Sequence, residues 1–251
     1  MKTFRTAWPL LATCWLAWPA CGQTAAPAPD PAAGAVALAR QQYNASFGRH
    51  PQLYNGPEYV DYAKRYNSRI GHQYFLAPDK LPGGVHYNGH YFANLQLAYD
   101  VVRDQVVLQL PTNPLTLRLA SEQVRYFYLN DHRFVRLLAD SSAGGVIQTG
   151  FYEVLADNKV QVLAKRAKRL SEQLSQRTIN AEFVPIDRYF LRKAGTYYAI
   201  TGKSGVVRLL ADHGKEVQQF IRDKDLKFNK EQLGPSLTQV ALYYGSLPTP
   251  Q

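Results

Sequence analysis

Paired histidines, a glycine-lysine-serine turn, neighbouring aspartates and a cluster of cations are the places where this sequence could do chemistry. His86-Tyr87-Asn88-Gly89-His90 has the composition of a metal pair. Asn-Gly is the strongest two-residue hairpin signal, so Asn88 and Gly89 should form the turn, pairing Tyr87 with His90 and His86 with Tyr91. Neighbours along a strand point to opposite faces, so this register separates the two imidazoles and they cannot converge on one ion. Thr201-Gly202-Lys203-Ser204-Gly205 ends like a phosphate-binding loop. That pattern needs glycine where Tyr197 stands, and a strand-to-helix turn with Ser204 as its cap is the simpler reading. Asp223-Lys224-Asp225 lacks the Asx and glycine that complete a calcium loop.

No Gly-x-Ser-x-Gly or His-Glu-x-x-His motif is present. The carboxylates are scattered. His132, Glu153 and Asp187 lie on or near predicted strands, and a solvent-facing role is the expectation for each. A catalytic pair drawn from separated strands leaves no local signature. The sequence therefore nominates no catalytic residue, no metal ligand and no cofactor. Its one local suggestion of a partner is Lys165-Arg166-Ala167-Lys168-Arg169, where Lys165, Arg166, Lys168 and Arg169 are candidate contacts for an anionic ligand. The plainer account of such a run is a solvated edge or hairpin tip that discourages strand pairing. The chain also holds 17 tyrosines, and tyrosine on a wet sheet face is a common binding surface for glycans and proteins. Aromatic residues also simply favour strands.

The elements that must position these residues begin after a leader. Residues 1–22 read as a secretory signal: Lys2 and Arg5, an apolar run from Ala7 to Ala20, and a small-residue exit at Ala20-Cys21-Gly22. The mature chain is expected to start at Gln23. Acylation at Cys21, which would make the protein a lipoprotein, is the alternative. The apolar run falls short of the ~20 residues that span a bilayer, and no later stretch is long and apolar enough. All three tryptophans, both cysteines and the only methionine lie within residues 1–22. Thiolate metal sites, cysteine nucleophiles and disulfides are thereby excluded from the remainder, which must be held by its core. Lys2 and Arg5 account for two of the +10 formal charges, leaving a mature chain at +8. In an exported protein that basicity points to lipopolysaccharide, anionic glycans or phospholipid head groups rather than nucleic acid, and solubility alone is the simpler account.

Residues 23–30 form an Ala/Pro linker. Asp30-Pro31 opens a helix within 31–48. From His50 to Leu81 the chain is Tyr-rich and irregular. Residues 49–201 read as a β-rich domain. Tyr91, Ala93, Leu95, Leu97 and Tyr99 are expected on one strand face, with Asn94, Gln96 and Asp100 on the other. Further alternating runs follow at 115–119, 124–129, 134–138, 151–155, 160–164, 188–191 and 197–200. Beyond Thr201 the apolar period becomes helical through 202–247. Asn229 and Gln232 form a capping box there, Phe228 and Leu233 a staple, and Pro235 is an alternative first helical residue. The hexapeptide Val135 to Asp140 recurs as Val207 to Asp212, expected once as strand and once as helix. The fold class is thus α+β: an N-terminal helix, a central antiparallel meander of roughly eight strands, either flat or curled towards an open barrel, and C-terminal helices packed on it.

A leader ending before Gln23, the Tyr87-Asn88-Gly89 hairpin, the strand Asn94-Leu95-Gln96-Leu97-Ala98-Tyr99-Asp100 and the Phe220 to Leu247 end with Tyr243-Tyr244 together resemble uncharacterised exported proteins of Bacteroidota. The likeness covers most of residues 50–247 and brings no catalytic motif with it. It implies a periplasmic or outer-membrane-associated protein. Non-enzymatic binding of an envelope protein or of an anionic or lipidic envelope component is the leading expectation, and a hydrolase of envelope polymers the alternative. A cleft with convergent acidic or histidine side chains would favour the hydrolase, whereas an exposed aromatic face or apolar groove would favour binding.

Overall fold

The computed structural model describes residues 34–39, 41, 51–110, 115–139 and 145–248. The expected leader and linker lie outside the described residues, as does most of the segment 31–48. Residues 34–39 are helical (α1) and belong to the unit Met1–Arg49. All other elements belong to the unit His50–Gln251.

Ten antiparallel strands form an open sheet in the order β13-β12-β9-β8-β7-β6-β2-β3-β4-β5. They are β2 (Leu81–Tyr87), β3 (His90–Asp100), β4 (Gln105–Gln109), β5 (Thr116–Arg118), β6 (Val124–Leu129), β7 (His132–Leu137), β8 (Gly150–Asp157), β9 (Gln161–Lys165), β12 (Arg188–Lys193) and β13 (Thr196–Ile200). A smaller sheet, ordered β1-β11-β10, joins β1 (Ser68–Ile70) in parallel to β11 (Ile179–Pro185), which pairs antiparallel with β10 (Lys168–Leu174). Three helices close the chain: α2 (Lys203–Leu209), α3 (Gly214–Asp223) and α4 (Leu233–Ser246). The α+β class read from the sequence is the observed one, with more strands than expected.

The inner face of the large sheet carries two cores. Val85, Phe92, Leu97, Tyr99, Phe127, Phe134 and Phe151, from β2, β3, β6, β7 and β8, pack into the first. Val162, Ala164, Tyr189, Leu191 and Ile200, from β9, β12 and β13, meet α2, α3 and α4 in the second, where Val206, Val217, Ile221, Leu237, Val240 and Tyr244 point inward. α4 lies on β8 and β9, α3 packs against α4 and α2 against α3, so that their apolar residues close over this part of the sheet.

Several local expectations are corrected. Asn94 has φ +56°, and a bulge shifts the β2–β3 register between Gly83 and Val85. One extra residue reverses the faces, so Phe92 joins the core while Tyr91 is 51% exposed. Asp100 is fully buried rather than wet. The turn at Gly202 starts α2 without a side-chain cap, and Ser204 sits inside the first turn. Asn229 Oδ1 accepts from Gln232 N at 2.9 Å, with α4 beginning at Leu233 and Pro235 falling at its third residue. The repeated hexapeptide behaves as expected, with Val135–Leu137 in β7 and Val207–Leu209 in α2.

Candidate functional site

Between the two cores the inner face turns polar. Glu153 on β8 stands between Phe134 of β7 and Ala164 of β9 and is 2% exposed. His132 reaches it with Nδ1. The Asn130-Asp131 turn sets that histidine at the first position of β7, opposite Leu129, with Asn130 at φ +48°. Arg166, just past the end of β9, donates from Nε to Glu153 Oε2 at 2.5 Å and from Nη1 to Asp187 Oδ2 at 2.6 Å and the Tyr189 hydroxyl at 3.2 Å. The Ala167 N–H donates to Asp187 Oδ1 at 3.1 Å. Phe75 packs edge-on to the His132 ring with centroids 5.1 Å apart.

The structure brings together His132, Glu153 and Asp187, which the sequence leaves as separate surface residues. Their link is Arg166, one of the four cations read as exposed. Burial alone would lower the Arg166 pKa, but the charges of Glu153 and Asp187 and their hydrogen bonds outweigh it and hold the guanidinium firmly protonated. A buried carboxylate needs such a partner, because an uncompensated charge there costs several kcal/mol.

The basic run is no hairpin tip: Lys165 and Arg166 are drawn inward, whereas Lys168 and Arg169 open β10, the edge strand of the small sheet. Arg166 and Ala167 carry the chain from β9 into the small sheet, and Ile186 and Asp187 bring it back to β12. Ile186 N donates to Ala167 O at 2.9 Å, so Arg166 and Asp187 clamp the root of an inserted hairpin. Lys165 is 8% exposed and donates to Asp104 Oδ2 at 2.6 Å and Phe151 O at 3.2 Å. Burial lowers the pKa of its ammonium, an effect that Asp104 partly offsets. Lys168 Nζ donates to His72 O and Tyr74 O, both at 2.7 Å. Arg169 alone of the four is exposed.

The polar seam ends at a cleft. At the open end of the β12–β13 pair, Asp187, Arg188, Tyr189 and Phe190 face Ala199, Ile200 and Thr201. Val146 and the segment Phe228 to Lys230 with Leu233 complete a space of about 460 Å³. Gly234 explains how α4 reaches this wall: a Cβ there would stand 2.8 Å from the Tyr189 ring and would push the ring aside. The cleft holds one carboxylate, Asp187, whose oxygens are occupied by Arg166 and Ala167. Glu153 and His132 do not line it. Arg188 and Lys230 are exposed on its rim. Arg188 donates to the neutral Gln148 Oε1 at 3.3 Å, and neither cation has an ion pair among the described residues.

A second surface lies on the outer face. Tyr126 of β6 stacks with Tyr91 of β3 at a centroid distance of 6.2 Å, the tilted His86 ring of β2 lies 5.1 Å from it, and Tyr128 meets Tyr126 edge-on at 5.8 Å. The β2–β3 register is the one the Asn-Gly turn predicts, with Asn88 and Gly89 at φ +47° and +82°. His86 and His90 therefore point to opposite faces. Among the described residues no group of three His, Cys, Asp or Glu side chains is placed to hold a metal ion, and no helix is long and apolar enough to cross a membrane.

Neither the seam nor the cleft had a signal in the sequence, since each is assembled from separated segments; the closest sign was the cation run, which holds the seam's organising arginine. Compared with known proteins, the chain matches no family model, no curated protein and no solved structure.

Proposed function

We propose that this is an exported cell-envelope protein that binds, without chemical conversion, an anionic or lipidic envelope component in the cleft beside β12 and β13. One observation carries the reading: the cleft joins apolar walls to two cations that lack ion pairs among the described residues, while the one carboxylate that lines it is hydrogen-bonded to Arg166 and the Ala167 N–H. Apolar concavities with a few fixed polar groups are the usual form of small-molecule sites. The hydrolase alternative requires two acidic or histidine side chains converging on a substrate, and the acidic cluster here converges on Arg166 instead. Export rests on the Lys2 to Gly22 leader pattern and on the resemblance to exported proteins of Bacteroidota.

Native mass spectrometry of the full chain recovered from a bacterial envelope fraction tests the reading. The expected result is a small-molecule adduct on the wild type that is missing from Ala199→Trp, whose indole fills the cleft from an exposed strand position. Identical spectra for the two proteins, with circular dichroism unchanged, would overturn it.

A further inference from the structure

The geometry points to a single-chain anionic amphiphile as the cleft's ligand, with its acidic head between Arg188 and Lys230 and its hydrocarbon chain against Phe190, Ile200, Phe228 and Leu233. This assignment rests on the cleft being a binding site and goes further by fixing the ligand's charge and number of chains. The charge follows from the rim. Asp187 shares the Arg166 guanidinium with Glu153, and the cleft's other lining charges, Arg188 and Lys230, are both positive and outnumber that one carboxylate. A neutral ligand would leave those cations without a counter-charge, whereas a carboxylate or phosphate monoester supplies charge-assisted hydrogen bonds to both. The chain follows from the walls. Phe190 belongs to the apolar cluster on the outer face of the sheet, and Ile200 and Leu233 to the inner core. The cleft therefore opens onto apolar surface from both sides of the sheet edge, and hydrocarbon laid there leaves water on both flanks. A volume of about 460 Å³ lies in the lower half of the range for small-molecule sites, which suits one chain and excludes a multi-acyl lipid.

Delipidated full chain is titrated with dodecanoate, dodecanol and butyrate, and floated with diacyl phosphatidylglycerol vesicles. Wild type should bind dodecanoate at least tenfold more tightly than dodecanol and show no measurable butyrate binding. Arg188→Gln/Lys230→Gln should bring dodecanoate down to the dodecanol level, and Ala199→Trp should abolish both. Equal binding of dodecanol and dodecanoate, both lost in Ala199→Trp, would remove the anionic head and leave the cleft as a site. Flotation of the wild type with vesicles that Ala199→Trp prevents would overturn the single-chain assignment alone. Dodecanoate binding that persists in Ala199→Trp would overturn the cleft reading as well, and absence of dodecanoate binding would overturn the ligand class.

Discussion

The two halves of the inner face bury similar apolar side chains and finish the job differently. In the first half aromatic side chains of the strands pack on one another, joined by Leu53 and Phe75 from the segment before β2. Tyr99, Phe127, Phe134 and Phe151 meet ring to ring, with Phe127 and Phe134 stacked at 4.7 Å, and the Tyr99 hydroxyl is satisfied by Asp104 at 2.5 Å. In the second half the cover is three short helices joined by turns. Helices laid on a twisted sheet leave a gap wherever a connection cannot follow the strand ends, and the α3–α4 connection leaves one at β12 and β13. Self-sealing aromatic packing gives a closed core, while helix-on-sheet packing gives room for a ligand. Glu153 and Arg166 mark the border.

The largest effect should therefore fall in the first half. Phe127→Ala empties a fully buried site among three other rings, which should cost about 3–5 kcal/mol. Phe228→Ala trims a partly buried wall of the cleft, and its cost should be about 1 kcal/mol. Urea unfolding of the two variants measures the contrast. Equal losses would mean that the cleft wall is as tightly packed as the aromatic core.

The border comes next. Arg166→Met leaves Glu153 buried and charged with only His132 beside it and releases the root of the inserted hairpin, an expected loss of about 3 kcal/mol. Glu153→Gln combined with Arg166→Met should recover much of it, because the desolvated charge is then gone. A double-mutant cycle read by urea denaturation gives the coupling. Additive losses would show that the two residues act independently.

How much of this was legible in the sequence depends on how far apart the partners lie. β6, with Val124, Phe127 and Leu129 inward, declares itself through its apolar residues, and Asn88-Gly89 fixes its hairpin locally. The Asn94 bulge does not, because one extra residue leaves the composition of β3 unchanged while reversing its faces. β10 stays hidden because Leu170 and Leu174 are its only apolar residues, and β11's Ile179, Ala181 and Phe183 shelter under Tyr66 and Ala63 from far upstream. Glu153 reads as a surface residue until Arg166 is folded against it, and the cleft draws its walls from four separate segments. Period and turn chemistry reveal an element, whereas a charge pair or a concavity exists only after packing.

A smaller effect should appear at Asp100, where the irregular segment before β2 docks on the first half. Its carboxylate accepts from the Tyr59 hydroxyl at 2.8 Å, the Tyr62 hydroxyl at 3.3 Å and the N–H groups of Val102 and Arg103 at 2.9 and 3.0 Å. Burial raises its pKa above 3.8, outweighing these hydrogen bonds, which pull it down. The folded state thus holds the proton more tightly than the unfolded chain, so Asp100 contributes most below pH 3.8 and loses that contribution as pH rises through the folded value. Asp100→Asn should cost about 1 kcal/mol at neutral pH, since the Tyr59 hydroxyl can turn to accept from the new amide. Relative to that variant the wild type should gain stability as pH falls towards 3.8. A difference that moves the opposite way in denaturation at stepped pH would mean that the hydrogen bonds outweigh burial.

The smallest effect should come from Arg169, and it bears on whether the basic run is a binding surface in its own right. Lys165 and Arg166 are tied to Asp104, Glu153 and Asp187, so changing all four cations together would disturb both the first core and the border. Lys168→Gln removes two charge-assisted bonds to His72 O and Tyr74 O and should cost about 1–2 kcal/mol. Arg169→Gln leaves those contacts in place and should change stability by less than about 0.5 kcal/mol. One exposed cation, screened over about 8 Å at physiological salt, adds little to the attraction of a polyanion. Cosedimentation with lipopolysaccharide at two salt concentrations should therefore give the same retention for Arg169→Gln as for the wild type. A clear, salt-dependent drop on this single change would make Arg169 an anion contact outside the cleft and would extend ligand binding to the inserted hairpin.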